Sequence, residues 1–298
     1  MSITSTQRGI GFAILAASVY ALVPNFARLA FLHGVPPLET VTVRTLAVVV
    51  LLGLASLWRG LRLQIPAKAR GAFLAQSIAT FLVSGCYLAS LQYLSVGLSV
   101  VIFFTFPVLI ALSSTLVEGR NPPLLLYAMT LLAFAGLVTA IGPEVSKFNP
   151  LGLLLAGLAA FGCVLQFFSG RALGRHVDPT VGGTLVHLAI LPFVLLAAYV
   201  TGDGQIAIVA TGLSTTALTA VALVGFAYCA AYFFHMSSVK QAPASIVAPY
   251  FNLEPLVTTL LAVWLLGENL SINHIIGGMM ILVALVVSGL AVERKQLS

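Results

Sequence analysis

Ten apolar runs of about 20 residues succeed one another in this chain, at about 9–31, 38–58, 71–93, 97–117, 122–142, 151–170, 180–200, 215–238, 242–266 and 272–292. Each is long enough to cross the roughly 30 Å hydrocarbon core of a bilayer as a helix. The loops between them are short and leave no room for a soluble domain with an activity of its own. Only 7% of the residues are charged and 60% are hydrophobic, against about 25% charged in a soluble domain. Such a chain has too few charges to clothe a water-facing surface. It reads as an all-α membrane protein of ten transmembrane helices. The first run follows a short polar N-terminus without a small-residue cleavage site, so it is expected to remain as the first helix.

The net charge of +6 does not point to nucleic acid, because the basic residues sit between the apolar runs and not on one face. They act as topology signals. With the N-terminus in the cytoplasm, the inner loops hold Arg8, Arg59, Arg62, Lys68, Arg70, Arg120, Arg171, Arg175, Lys240, Arg294 and Lys295, eleven of the fourteen basic residues. Arg28 and Lys147 fall outside, with Asp203, and Arg44 falls within a span. Both termini are therefore expected in the cytoplasm. Cys86, Cys163 and Cys229 lie in three different apolar runs with no metal-ligand spacing, and read as small buried hydrophobes.

A weak internal repeat runs through the chain. Glu118-Gly119-Arg120-Asn121 and Glu268-Asn269-Leu270-Ser271 each follow a long apolar run and precede a last one. Pro107 and Pro255 lie upstream of these glutamates, Tyr87 and Tyr232 match one helix earlier, and Gly11 with Pro37 matches Gly152 with Pro179. The expected division is a first five-helix repeat at 1–145 and a second at 146–298. Five is odd, so a tandem copy enters the membrane upside down. Two inverted repeats around a central cavity form a transporter architecture, with the site at the repeat interface near mid-bilayer.

With these features the chain resembles the drug/metabolite transporter superfamily, in its ten-helix EamA-type exporter branch. The residues that carry the resemblance are Pro255, Gly267 and Glu268 at the end of the ninth run, and a shorter copy, Pro107 and Glu118, at the end of the fourth. Arg44 in the second run and Tyr20, Ala21, Pro24, Asn25 and Phe26 in the first add to it. The first-half copy lacks the Gly before Glu118, so the fourth helix is expected to be bent or trimmed. The resemblance implies export of small metabolites, amino acids and related compounds among them, from a bacterial inner membrane. The chain is also similar to the aromatic amino acid exporters within that branch.

The sharpest single residue is Glu254, in the middle of the ninth run beside Pro249, Tyr250, Asn252 and Pro255. A carboxylate at mid-bilayer costs roughly 2.5–3.5 kcal/mol on insertion scales. Its counterpart in the first half is Phe106, which favours a site role over a shared structural one. The competing reading is a brace for carbonyls freed by the prolines. His187 and His235 lie within spans, where they bind substrate, relay protons or simply hydrogen-bond inside the bundle. Asn25 and Gln166 occupy matching positions in the two halves, as cavity walls or as interhelical glue. Tyr20, Tyr87, Tyr228, Tyr232 and Tyr250 are candidates to line a pocket for flat or apolar side chains. Trp58 and Trp264 read as interface anchors; for Arg44 the readings are a pair with a carboxylate, a contact with substrate, or snorkelling to the outer surface, a structural role being favoured.

No nucleotide-binding loop, nucleophile elbow, HExxH or CxxC occurs, and the two aspartates, Asp178 and Asp203, lie in loops. The sequence thus predicts a secondary transporter without cofactor, not an enzyme. Its expected partners are a small-molecule substrate, the lipid bilayer and, through Glu254, protons, with no nucleic acid, as a monomer or homodimer. The alternatives at this point are an intramembrane enzyme using Glu254 with His235, and a channel-like membrane subunit.

Overall fold

The computed structural model describes residues 4–119, 121–142, 149–201, 213–266 and 269–297. Arg120, Lys147, Asp203, Gly267 and Glu268, which carry parts of the topology and repeat readings, lie outside the described residues. Ten helices long and apolar enough to cross a membrane follow in order: α1 Ser5–Leu32, α2 Pro37–Trp58, α3 Ala67–Ser90, α4 Val96–Glu118, α5 Leu124–Ile141, α6 Pro150–Gly174, α7 Pro179–Val200, α8 Thr215–Gln241, α9 Ala244–Trp264 and α10 Ile272–Val292. No strand occurs among the described residues.

Local chemistry sets the helix ends. Thr4 and Gln7 form a reciprocal capping box at the start of α1. Ser95 and Ser214 cap α4 and α8 with their hydroxyls, and Asn149 caps α6 ahead of Pro150. Gly119 and Gly142 end α4 and α5 in the left-handed conformation that favours glycine. Trp58 and Trp264, 91% and 79% exposed, stand near the ends of their helices as interface anchors do.

The helix pairing shows the repeat. The helices pack α1 along α8, α6 along α3, α2 along α7 and α5 along α10. Advancing every helix by five maps each of these pairs onto one of them, which is pseudo-two-fold symmetry. The members of a pair run antiparallel. Arg59, just past the end of α2, pairs with Asp178, just before α7, at 3.1 Å, whereas Val41 near the start of α2 packs on Ile190 and Val194 further along α7. In α5 and α10 the approach is closest at Gly136 and Gly277: a Cβ on Gly277 would lie 2.6 Å from the backbone nitrogen of Ala140, near the end of α5. Equivalent helices therefore point in opposite directions, and the second repeat is inverted relative to the first.

Three helices break near the middle of the bundle. Pro24 has no N–H to offer the carbonyl of Tyr20, and α1 is interrupted at Ala21. The fourth helix divides at Phe104–Thr105, just before Phe106 and Pro107, the bend that its irregular motif foreshadows. The ninth passes through a 3-10 segment at Ala248–Asn252, just before Glu254 and Pro255. The breaks in α4 and α9 occupy equivalent places in the two repeats. Irregular backbone at membrane depth is tolerated only inside protein or beside a water-filled cavity, so these breaks mark the interior.

Candidate functional site

The braces for the broken backbone are specific side chains. Asn25 is buried and its amide donates to the carbonyls of Ala21, 2.9 Å, and Thr258, 3.3 Å, tying α1 to α9. Asn252 is fully buried and donates to the carbonyl of Pro249 at 3.0 Å. Thr259 donates to the carbonyl of Pro255 at 3.0 Å. Glu254 takes no part in this. It is half-buried and makes no hydrogen bond or ion pair within the described residues. Its carboxyl group is close enough to Tyr20 of α1, Tyr87 of α3 and Cys163 of α6 to interact with them electrostatically. These three residues belong to three different helices of the bundle.

Around this carboxyl group the aromatic side chains form a continuous cluster. The ring of Tyr20 lies 6.0 Å from that of Tyr228, 6.2 Å from His235 and 6.4 Å from Phe251. Tyr87 packs on Phe103 at 5.1 Å. Toward the basic end, His235 lies between Phe167 at 4.4 Å and Phe251 at 4.7 Å, and Phe106 closes on Phe167 at 5.4 Å. Phe106, Phe167, Phe251 and His235 are all buried and fill the space on that side. Tyr20, Tyr87 and Glu254 are each half-buried.

Beyond the plug the basic end is sealed by a clasp. Glu118, at the end of α4, accepts hydrogen bonds from the backbone N–H of Ala244, 2.9 Å, and the hydroxyl of Ser245, 3.2 Å, in the first turn of α9. It also pairs with Arg171 Nε at 3.3 Å, and Arg171 donates to the carbonyl of Val239 at 3.0 Å. A carboxylate at a helix N-terminus is favoured by the helix dipole and the free N–H groups there. Gly9 of α1 meets Ala242 alongside, so closely that a Cβ at Gly9 would clash at 2.6 Å.

The remaining candidates fall into two groups. Gln166 donates to Thr80 Oγ1 at 3.0 Å and joins α6 to α3. Tyr232 is fully buried and accepts from Gln76, 3.1 Å, whose carbonyl oxygen accepts from Ser169 at 2.6 Å. These hydrogen bonds knit α3, α6 and α8 together. His187 is fully buried; Nδ1 lies 2.9 Å from the carbonyl oxygen of Gly183 and Nε2 lies 3.4 Å from the Tyr228 hydroxyl. Nε2 of His235, by contrast, has no hydrogen-bond partner among the described residues. Tyr250 is turned from the cluster, its hydroxyl against Gly289 of α10. A groove of about 250 Å³ opens beside Pro255, between α5, α9 and α10, with an apolar lining apart from Thr259 and His274.

Sequence reasoning passed over Gln76, Thr80 and Ser169, which are ordinary polar residues until their partners are known. It assigned Glu118 to the repeat but not to a clasp, because Arg171 and Ala244 are remote in sequence. Arg44 was expected as a structural cation. In the fold its guanidinium carbon lies 4.4 Å from the centre of the Tyr228 ring, and Nη2 donates to Ser84 Oγ at 3.1 Å.

Comparison with known proteins agrees with this arrangement. The EamA-like transporter family matches residues 7–142 and, a second time, residues 150–290. The chain belongs to the EamA-like transporter family. The two matched segments correspond to the two symmetric sets of five helices. One solved structure, described only as a crystal structure of protein, superposes with a TM-score of 0.79 over 97% of this chain and 99% of its own at 21% identity, which shows the shared fold. No curated protein matches the chain. As an EamA-like transporter the protein is a multi-pass membrane protein whose fold serves solute passage.

Proposed function

We propose that this EamA-like transporter is a secondary exporter of small amphipathic metabolites, foremost amino acids with aromatic or apolar side chains, in a bacterial inner membrane with both termini cytoplasmic. The two repeats rock about the interior site and open it to each side in turn. One observation carries the reading: Glu254, at the break in α9, has no hydrogen-bond or ion-pair partner among the described residues, although it interacts electrostatically with residues of three helices. A side chain that braced the fold would engage nearby backbone, as the amide of Asn252 and the hydroxyl of Thr259 do by donating to the carbonyls of Pro249 and Pro255. Glu254 is left to take a proton or the ammonium group of a solute, and Tyr20, Tyr87 and Phe103 offer flat apolar surface beside it.

The test is counterflow in liposomes with the purified protein and a panel of labelled amino acids. Saturable exchange of aromatic or large apolar amino acids is expected. Absence of exchange for every amino acid, or a preference for phosphorylated solutes, overturns the reading. Glu254→Gln keeps size and most hydrogen bonding but removes the charge. It is expected to insert normally and retain downhill exchange, yet lose transport driven by a pH gradient. Wild-type behaviour of Glu254→Gln at every pH would leave the protein a facilitator driven by its solute's own gradient.

A further inference from the structure

Among the described residues, Arg44 is a cation without an acid. The other arginines whose contacts define an end of the bundle are neutralised: Arg59 by Asp178 and Arg171 by Glu118. Arg44 forms no ion pair within the described residues, and its buried Nε meets no acceptor. One N–H reaches Ser84, out of the five that a guanidinium carries. A cation withdrawn from water without a counter-ion is costly to hold. The Tyr228 ring, 4.4 Å from the guanidinium carbon, offsets part of that cost through a cation–π contact.

The contact with Tyr228 engages the guanidinium without using its N–H donors, which lie along the edge of the plane. That edge is the part that grips a carboxylate through two parallel hydrogen bonds, with a geometry no lysine reproduces. Arg44 is also turned away from the lipid-facing side of α2, where Leu46, Val50 and Leu54 are exposed, and toward α3 and α8. The ring it packs on, Tyr228, packs in turn on Tyr20, and Tyr20 interacts with Glu254. The arginine and the glutamate therefore stand at the two ends of one tyrosine pair. Among the described residues neither has an ion-pair partner, and they form no ion pair with each other.

Resting on the function proposed above, we propose that Arg44 is a specificity residue of the interior site: it binds the carboxylate of the solute through the free edge of its guanidinium. An amine or amide lacking the carboxylate leaves Arg44 uncompensated. Selectivity for an acid over its amide follows. A brace in place of a binding residue would direct its donors at backbone carbonyls, as Arg171 does at Val239.

The experiment compares acids with their amide twins: phenylalanine with phenylalaninamide, and 3-phenylpropionate with 3-phenylpropionamide. Binding is read on the full-length protein in detergent as ligand-dependent thermal stabilisation, and transport as counterflow in liposomes. In the wild type the acids are expected to bind at least tenfold more tightly than the amides. Arg44→Met, of similar length and apolar, is expected to erase that difference and to melt no lower than the wild type. Glu254→Gln is expected to retain it. Phenylglyoxal modification of Arg44 in the wild type, followed by peptide mass spectrometry, should be slowed by 3-phenylpropionate and not by its amide, a readout that needs no variant. The proposal is overturned if Arg44→Met keeps the acid preference, or if neither acid protects Arg44. If acids bind at Arg44 but no amino acid is exchanged, the transport reading falls and this one stands. If amino acids are exchanged with the acid preference intact in Arg44→Met, the reverse holds.

Discussion

Glu118→Gln should open the basic end of this transporter. The wild-type carboxylate accepts from Ala244 N–H at 2.9 Å and Ser245 Oγ at 3.2 Å, and pairs with Arg171 at 3.3 Å. A hydrogen bond to a charged group contributes about 1.5–3 kcal/mol and a neutral one about 1 kcal/mol, so glutamine forfeits about 1 kcal/mol at each of the two. The Arg171 pair is partly exposed, 21% and 7% for the two side chains, and a partly exposed pair adds at most about 1 kcal/mol. The clasp therefore weakens by roughly 2–3 kcal/mol. At 1.4 kcal/mol per factor of ten, the fraction of molecules open at this end rises by roughly 30–150-fold. A cysteine at Ser238, which is fully buried beside the seal, reports that fraction through its rate of reaction with an impermeant maleimide, in a background with Cys86 replaced because Cys86 is half-buried and free. A control cysteine at Ser99, fully buried in the first half of α4, should not change. An unchanged rate at position 238 refutes the clasp. An equal rise at both positions means that the substitution loosens the whole bundle and leaves the gating argument without support.

Three further outcomes follow from the packing. Asn25→Ala removes two interhelical and intrahelical hydrogen bonds at the break in α1, and a thermal melt in detergent should register a loss of about 1–3 kcal/mol, with no change if Asn25 serves the solute alone. Gly277→Ala drives a methyl into the backbone of α5 at Gly136 and Ala140, where no flexible side chain can yield, so the folded yield should fall sharply while Gly11→Ala, with open space around it, stays neutral. At Asp178, outside the spans, partial burial raises the carboxyl pKa, but hydrogen bonds from Thr180 and the Arg59 guanidinium outweigh it and hold the group below its ordinary value. A depressed acid contributes stability above its unfolded pKa of about 3.9 and loses it as pH falls through the lower folded value, so Asp178→Asn should cost about 1 kcal/mol at pH 7 and nothing at the acid extreme, a difference readable from melting curves at both pH values.

The helices and their inversion were legible because each rests on short-range or additive signals. Hydrophobic length gives a span wherever it occurs, and an odd repeat forces inversion without any contact being known. Pro107, Pro249 and Pro255 announced the breaks in α4 and α9, since a proline removes a donor whatever surrounds it. What stayed hidden were pairings between residues far apart in sequence. Gln166 and Thr80, or Glu118 and the N-terminus of α9, become partners only when antiparallel helices bring them to one level. The same reason explains why Asn25 and Asn252 could not be separated from Glu254 by sequence. All three are polar residues near prolines, and only the hydrogen bonds among the described residues show that two donate their amides to backbone and the third makes none.

The two repeats are alike in how they pack and unlike in what they hold at the middle, and that difference bears on how a site and a gate work together. Phe106 and Glu254 occupy the same place ahead of equivalent prolines. Phe106 is buried against Phe167 and Phe251 as part of the plug; Glu254 stands open beside it. The backbones differ too. The break in α4 is confined to two residues, whereas α9 carries a five-residue 3-10 segment with Pro249 inside it and Pro255 just after. With two donors missing, α9 has the weaker internal ladder of the two, so a change of shape costs less there than in α4. The Glu118 clasp holds the first turn of this same helix, at Ala244 and Ser245. Under the proposed mechanism, then, one element carries the site carboxyl group, the soft segment and the seal of the basic end. Releasing the clasp frees the helix on which Glu254 stands, and occupancy of Glu254 acts back on the clasp through only a few residues of deformable backbone. A first repeat built the same way would offer two soft helices and no fixed wall. Keeping α4 firm and its centre apolar gives α9 a surface to move against.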